Sequence, residues 1–213
     1  MKKKAFGGVL AACLMVGCLS IPASAVEVPV ASAYNLDTEI YNAVNGISDV
    51  PITDAMLDDA VAVITDDDGN VLQSIDVDMT VKEIPASRSS GVTTYVATYV
   101  ARANKSDSGT KTKDDVVATA TVTWNDILGT TNELISVNGG WTVRGTTLSS
   151  RKVAYGSKSL TGETYTETKT PYSNSFYYSP DDITGYTLYV NSSAKINSTD
   201  HTISLYVESK ITT

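Results

Sequence analysis

Apolar and polar residues alternate one by one through much of the chain after about residue 60. The clearest stretch is residues 116–124. One face of it carries Ala118, Ala120, Val122 and Trp124, and the other carries Thr119, Thr121 and Thr123. Successive side chains of a β-strand point to opposite faces of its sheet, so this pattern predicts a strand with one face in a core. A helix would place its apolar residues three or four apart, and the pattern argues against one here.

Similar runs recur along the chain, separated by Gly, Asn, Asp and Ser. Residues 66–70 read Asp-Asp-Asp-Gly-Asn, which predicts a hairpin turn. Residues 92–103 carry no charge before Arg102, which predicts a central strand covered on both faces. Residues 159–169 alternate Thr with Glu, Tyr and Lys, which predicts an edge strand with both faces in water. The predicted strands are residues 60–65, 71–77, 79–84, 92–103, 116–124, 133–137, 140–147, 152–155, 159–169, 174–178, 185–196 and 199–211.

Short strands of this composition, joined by turns, are typical of sandwiches and small barrels. We therefore predict a mainly β fold: a single antiparallel β-sandwich, or a small barrel, of roughly 8–10 strands over residues 59–213. The segment before it, residues 26–58, is predicted to be a short helix or irregular. Leu36, Ile40 and Val44 lie four apart behind a potential cap at Asn35, which favours a helix there. A second short helix is predicted over residues 53–60.

Residues 1–25 have the three parts of a secretory signal peptide. Lys2, Lys3 and Lys4 form the basic start, residues 5–19 are apolar, and the small residues 23–25 read Ala-Ser-Ala. The apolar run is shorter than a bilayer span requires. We therefore expect cleavage near Ala25, secretion from a bacterium and no transmembrane segment afterwards. The alternative is a lipoprotein anchored through Cys18, because residues 15–18 read Met-Val-Gly-Cys and resemble a lipobox.

The chain is acidic and poor in residues suited to catalysis. It has 16 Lys and Arg against 24 Asp and Glu, and a formal net charge of −8. Such a surface repels phosphate backbones, so we expect no nucleic-acid partner. His201 is the single histidine, and Cys13 and Cys18 are the two cysteines, which argues against His-based triads, zinc sites and thiol chemistry. Adjacent Asp pairs point apart on a strand and favour turns, so we expect no catalytic site.

Asp66 and Asp68 form the one candidate metal site. Calcium binds several hard oxygens from one tight loop, and Gly69 would permit the turn. However, Ile64 stands where a calcium-binding loop of the EF-hand type would need another Asp, and an Asp-Gly turn explains the same residues. We therefore expect no cofactor, with calcium at Asp66 and Asp68 as the alternative.

Aromatic residues provide the candidate ligand site. The chain holds 12 Tyr against two Trp and two Phe. Exposed Tyr and Trp rings present an apolar face with a polar tip, which suits them to stacking on sugars, with Asp beside them for the hydroxyls. If residues 174–178 form a strand, Tyr177 faces away from Phe176 and Tyr178, so only part of this group shares one surface. The predicted ligand-binding residues are Trp141, Tyr172, Tyr177, Tyr178, Asp181 and Asp182.

These features predict a secreted or cell-surface bacterial β-sandwich protein. Its expected role is that of a non-catalytic binding or adhesion module for a glycan or a protein at the cell envelope. One alternative is a structural surface protein that associates with itself through an edge such as residues 159–169. A further alternative is a secreted toxin or a small hydrolase. The sequence leaves the ligand and the oligomeric state open.

Overall fold

The structure is a computed structural model that describes residues 35–86, 92–103, 115–127 and 131–209. These residues form two helices and twelve strands. The helices are α1 (Leu36–Val44) and α2 (Asp54–Asp58). The strands are β1 (Ala60–Thr65), β2 (Val71–Ile75), β3 (Val77–Ile84), β4 (Thr93–Ala103), β5 (Asp115–Ile127), β6 (Thr131–Arg144), β7 (Leu148–Lys158), β8 (Thr164–Lys169), β9 (Ser175–Tyr178), β10 (Thr184–Gly185), β11 (Thr187–Ile196) and β12 (His201–Ser209).

The strands form two antiparallel sheets of six. Sheet A has the order β2-β1-β12-β11-β7-β8. Sheet B has the order β10-β6-β5-β4-β3, and β9 pairs with β6 beside β10. Neither sheet closes on itself within the described residues. The predicted mainly β, antiparallel sandwich is therefore confirmed, and the barrel alternative is not the fold.

The structure has twelve strands, more than the predicted eight to ten. Strands were predicted over residues 71–77 and 79–84, but the break falls at Asp76, and alternation did not reveal that β2 lies in sheet A and β3 in sheet B. Conversely, residues 133–137 and 140–147 were predicted as separate strands, and the structure runs a single strand, β6, through Gly139 and Gly140. Gly139 has φ +152°, a backbone conformation that glycine adopts readily.

The core lies between the sheets, where β11 and β12 face β4, β5 and β6. As predicted, β4 is central and buried on both faces: Ala97 and Tyr99 point into the core, and Val96 and Val100 are buried on the other face. Each large apolar side chain buried this way contributes about 1.5–3 kcal/mol. The chain has no cysteine beyond residue 18, so disulfides do not reinforce this core. The largest fully buried side chains include Trp124, Tyr99, Tyr155, Leu134, Leu188, Ile203 and Leu205.

The segment before the sandwich packs against one edge of sheet B. The Oδ1 atom of Asn35 accepts hydrogen bonds from the N–H groups of Asp37 (3.0 Å) and Thr38 (3.3 Å), which caps α1. α1 then packs on β3 and β4. After it, the N–H of Asp49 donates to the carbonyl of Val81 in β3 (2.9 Å). The edge of sheet B at β3 is therefore covered by the chain itself. No helix in the described residues is long and apolar enough to cross a membrane.

Candidate ligand-binding site at the open side of the sandwich

Within the described residues, sheet A ends with β8 at one side of the sandwich, and we call this side the open side. β7 contacts β6 and β10 of sheet B, and β8 is the next strand outward. In the β7–β8 pair, Tyr155 lies opposite Glu167 and Val153 lies opposite Lys169. Tyr155 and Val153 belong to the core. Directly paired residues share a face of the sheet, so Glu167 and Lys169 lie on the face of β8 that is turned toward sheet B.

A chain of aromatic rings joins the two sheets at the open side. The ring of Trp141 on β6 lies 5.6 Å from that of Phe176 on β9, measured between centroids. Phe176 stacks on Tyr178 at 6.1 Å, and Tyr178 stacks on Tyr155 of sheet A at 5.6 Å. Trp141, Phe176 and Tyr155 are buried, and Tyr178 is half-buried. The chain thus forms a rigid apolar wall that ends at the surface with Tyr178.

The carboxylate of Glu167 collects three donors beside this wall. It accepts hydrogen bonds from the hydroxyls of Tyr155 (3.0 Å) and Tyr165 (3.3 Å), and it forms an ion pair with Lys169 (2.9 Å). The contact with Lys169, followed by the hydrogen bond from Tyr155, lowers the pKa of Glu167. Burial raises the pKa of Tyr155, and partial burial raises that of Tyr178. We call Tyr155, Tyr165, Glu167, Lys169 and Tyr178 the open-side cluster.

A clamp holds the start of β9 against both sheets. Arg151 on β7 donates from Nε and Nη2 to the Oδ1 atom of Asn174 (2.9 and 2.6 Å), and Nη2 also donates to the carbonyl of Leu148 (2.8 Å). The carbonyl of Asn174 accepts the N–H of Trp141 on β6 (2.7 Å). It approaches Gly140 so closely that a Cβ there would lie 2.3 Å away. The clamp therefore fixes the position of Phe176 and Tyr178 relative to sheet A.

Three exposed tyrosines lie in or near β8 and β9. Tyr165 is 53% exposed, Tyr172 is fully exposed and Tyr177 is 66% exposed. All three belong to one segment of thirteen residues that runs from β8 to β9. Their rings expose apolar surface to solvent, and covering that surface with a ligand would be favourable.

The residues predicted to bind ligand fall in different places. Tyr172 lies between β8 and β9, and Tyr177 pairs with Asn138 on the outer face of sheet B. Tyr178 faces inward, as the alternation required. Asp181 and Asp182 are exposed in the turn after β9, where Asp182 has φ +58°. Trp141 is 3% exposed and packs in the core, so its ring is not part of this surface.

The Asp66 and Asp68 region forms a tight turn. The carboxylate of Asp66 accepts the N–H groups of Asp68 (3.0 Å) and Asn70 (2.8 Å) and the side-chain amide of Asn70 (2.9 Å). The Asn70 side chain is the main cause of the lowered pKa of Asp66. These bonds give the Asp66 carboxylate a role in the turn. The described residues contain no group of three or more His, Cys, Asp or Glu side chains arranged to hold a metal ion.

A second cluster lies on the outer face of sheet A. Lys158 forms an ion pair with Glu208, donates to the hydroxyl of Tyr206 (2.8 Å), and lies over the rings of Tyr189 (5.8 Å) and Tyr206 (5.5 Å). The Glu208 contact is the main cause of the raised pKa of Lys158. Tyr189 is 6% exposed, and its hydroxyl contacts Thr166 and Tyr165. The polar groups of this cluster bind one another. The cluster therefore stabilises sheet A and leaves few polar groups for a ligand.

Sequence reasoning missed Tyr165, Glu167 and Lys169. The signal was present, because these residues are two apart in a strand and therefore share a face. What the sequence does not contain is the pairing of that face with Tyr155 and its proximity to Tyr178. No protein-family model, curated protein or solved structure matches the chain, so its function must be inferred from this geometry.

Proposed function

We propose that this protein is a non-catalytic binding module of the bacterial cell envelope and that its ligand is a glycan bound at the open side. The observation that carries the proposal is the exposed ring of Tyr165 and the half-buried ring of Tyr178 beside the Glu167 carboxylate and the Lys169 ammonium. Tyrosine faces stack on the apolar faces of sugar rings, and the charged groups bind hydroxyls through strong hydrogen bonds.

The surroundings of the site favour binding without a large ordering cost. The aromatic wall and the Arg151–Asn174 clamp hold Tyr178 in place, and three donors orient the Glu167 carboxylate. Groups held in position before the ligand arrives lose less entropy when it binds. The two remaining predicted residues, Asp181 and Asp182, follow Tyr178 closely in the chain and are exposed.

The test is retention of the purified protein on insoluble polysaccharides and on isolated bacterial cell walls. We expect retention of the native protein and its loss in a Tyr165→Ala variant. Loss of an anchoring tyrosine costs about 2 kcal/mol, which is roughly thirtyfold in affinity for each ring. Tyr41→Ala is the matched control, because Tyr41 is 62% exposed but lies on α1.

The same experiment separates the other ligands. Retention on cell walls that protease treatment abolishes, without retention on any polysaccharide, would indicate a protein ligand. Retention that a chelator abolishes would indicate calcium at Asp66 and Asp68. Equal retention of the tyrosine variant and the native protein would refute the proposed site.

Export is the second part of the proposal, and it rests on the composition of residues 1–25. Mass spectrometry of the protein recovered from its own host reads the mature N-terminus. We expect the mature chain to begin at Val26. A lipid-modified N-terminus at Cys18 would instead place the protein at the membrane surface, and an intact Met1 would contradict export.

A further inference from the structure

Strand β8 presents an unprotected edge of sheet A. Within the described residues it is the terminal strand of the sheet and pairs with β7. Five of its six residues are exposed. The edge of sheet B at β3, by contrast, is covered by the segment after α1. An uncovered edge strand offers a row of backbone donors and acceptors to another strand.

The β7–β8 hairpin determines which residues of β8 direct their backbone N–H and C=O groups away from β7. The carbonyl of Glu163 accepts the N–H of Ser159 (2.8 Å), so the backbone groups of Glu163 point toward the β7 side. The carbonyl of Tyr165 lies against Gly156 of β7. Backbone groups alternate in direction along a strand, so Thr164, Thr166 and Thr168 present their N–H and C=O groups to solvent.

We infer that β8 pairs with β8 of a second copy of this chain, antiparallel, about a two-fold axis at Thr166. In this register Thr166 faces Thr166 of the second copy, and Thr164 faces the partner's Thr168. The outward-pointing backbone N–H and C=O groups of one strand therefore meet those of the other. Glu163 faces the partner's Lys169, and Tyr165 faces the partner's Glu167. The symmetry repeats the last two contacts, which gives two ion pairs of opposite charge and two hydroxyl–carboxylate pairs.

Charge selects this register over its neighbours. An axis at Tyr165 would set Glu163 against the partner's Glu167, and an axis at Glu167 would set two Glu167 carboxylates against each other. Both place like charges directly opposite, which destabilises a pair. An axis at Thr168 would use residues beyond Lys169, where β8 ends. The Thr166 register pairs residues 164–168 of the two strands with one another and sets Lys169 against Glu163, the residue directly before β8.

The pairing has a consequence for the open side, which rests on the proposed function. Edge-to-edge pairing uses backbone groups in the plane of the sheet, so the faces stay open to solvent while Tyr165, Glu167 and Lys169 form the cross-strand pairs. Tyr165, Glu167 and Lys169 of both copies would then lie side by side on one continuous sheet of twelve strands. Two glycan sites so joined bind a long polysaccharide with higher avidity than either alone.

Cysteine cross-linking tests the pairing directly. In the full chain carrying Cys13→Ser and Cys18→Ser, an introduced thiol is the only one. Thr166→Cys places two thiols on opposed residues about 5.5 Å apart at Cα, whereas Thr168→Cys separates them by roughly 14 Å. We expect mild oxidation, or a short bismaleimide, to cross-link Thr166→Cys at least tenfold faster than Thr168→Cys. Equal rates, or faster linking of Gln73→Cys at the β2 edge, would overturn the inference.

Charge reversal tests the register independently. Glu163→Lys and Lys169→Glu each set like charges opposite one another twice, and we expect each to weaken dimerisation roughly tenfold or more by analytical ultracentrifugation. The double variant Glu163→Lys, Lys169→Glu restores opposite charges and should recover most of the loss. Lys152→Glu, an exposed reversal on the outer face of β7, should leave the dimer unchanged.

A native protein that stays monomeric at high micromolar concentration, or a double variant no better than the single ones, would refute the pairing. These measurements contain no polysaccharide, so their failure and a failure of glycan retention are separate results. A dimer that binds no glycan leaves the pairing intact and removes only the proposed ligand.

Discussion

Replacing Ser192 by alanine should make this protein more stable. Ser192 lies on β11 and points into the core, opposite Leu205 of β12 and Val153 of β7. It is 0% exposed, and its hydroxyl has no hydrogen-bond partner among the described residues. Burying a hydroxyl without a partner costs about 1–3 kcal/mol, and this cost is present in the native protein.

Ser192→Ala removes that hydroxyl and leaves a space smaller than a methyl group, which costs less than about 1 kcal/mol. The net result is a gain of about 1 kcal/mol in the free energy of unfolding, or about 2–4 °C in Tm for a chain of this size. Urea denaturation followed by the fluorescence of the buried Trp124 and Trp141 measures it, provided that the denaturant slope is unchanged.

Ser157→Ala is the matched control. Ser157 is also buried, at 5% exposure, but its hydroxyl donates to the carbonyl of Thr184 (2.8 Å). The same substitution should therefore lower the free energy of unfolding by about 1 kcal/mol. Opposite signs for the two serines support the reasoning. A loss of stability in Ser192→Ala would refute it, because the hydroxyl would then be contributing where the structure gives it no partner.

Three further outcomes follow from the open side. Gly140→Ala should lose about 2–4 kcal/mol of stability in the same assay, since its Cβ would meet the Asn174 carbonyl, whereas Gly162→Ala has open space and should lose only about 1 kcal/mol for its φ of +88°. Arg151→Met should speed amide hydrogen exchange at Trp141 by roughly tenfold or more, because the acceptor of that N–H is held by Arg151; unchanged exchange would remove the clamp from the argument. Lys169→Met should raise the pKa of Glu167 toward its ordinary value, as read by carboxyl chemical shifts. With its pKa lowered in the folded state, Glu167 adds stability above the ordinary carboxyl range and loses it as the pH falls through the lowered value; a pKa that does not move in Lys169→Met would contradict this assignment.

Alternation was sufficient to predict the fold class because it reports which residues share a face. The uncharged faces of residues 92–103 predicted a central strand, and β4 lies between β3 and β5 with both faces buried. Alternation does not report which strand is the neighbour. The crossing at Asp76 and the continuous β6 depend on contacts between distant residues, and nothing local in the chain encodes them.

The candidate site also depends on contacts between residues that are distant in the sequence. Trp141 was predicted to bind ligand as a large aromatic residue beside Gly139 and Gly140. Gly140 instead lets the backbone at the start of β9 approach, and the Trp141 ring packs against Phe176 in the core. Glu167 was predicted only as part of an edge strand with both faces in water. Its importance comes from Tyr155, twelve residues earlier, which the hairpin brings to a hydroxyl–carboxylate distance of 3.0 Å. A ligand surface of this kind exists only after the strands are paired.

The treatment of the β3 and β8 edges connects stability with function in this fold. A sandwich with open sheet edges must keep those edges from pairing with unrelated chains. At β3 the chain covers its own edge. At β8 it leaves the edge open but places Glu163, Glu167 and Lys169 beside it, which penalises most partner strands and most registers. The same charges are complementary to β8 itself in one antiparallel register, so the residues that prevent non-specific association are those that would make one specific dimer possible.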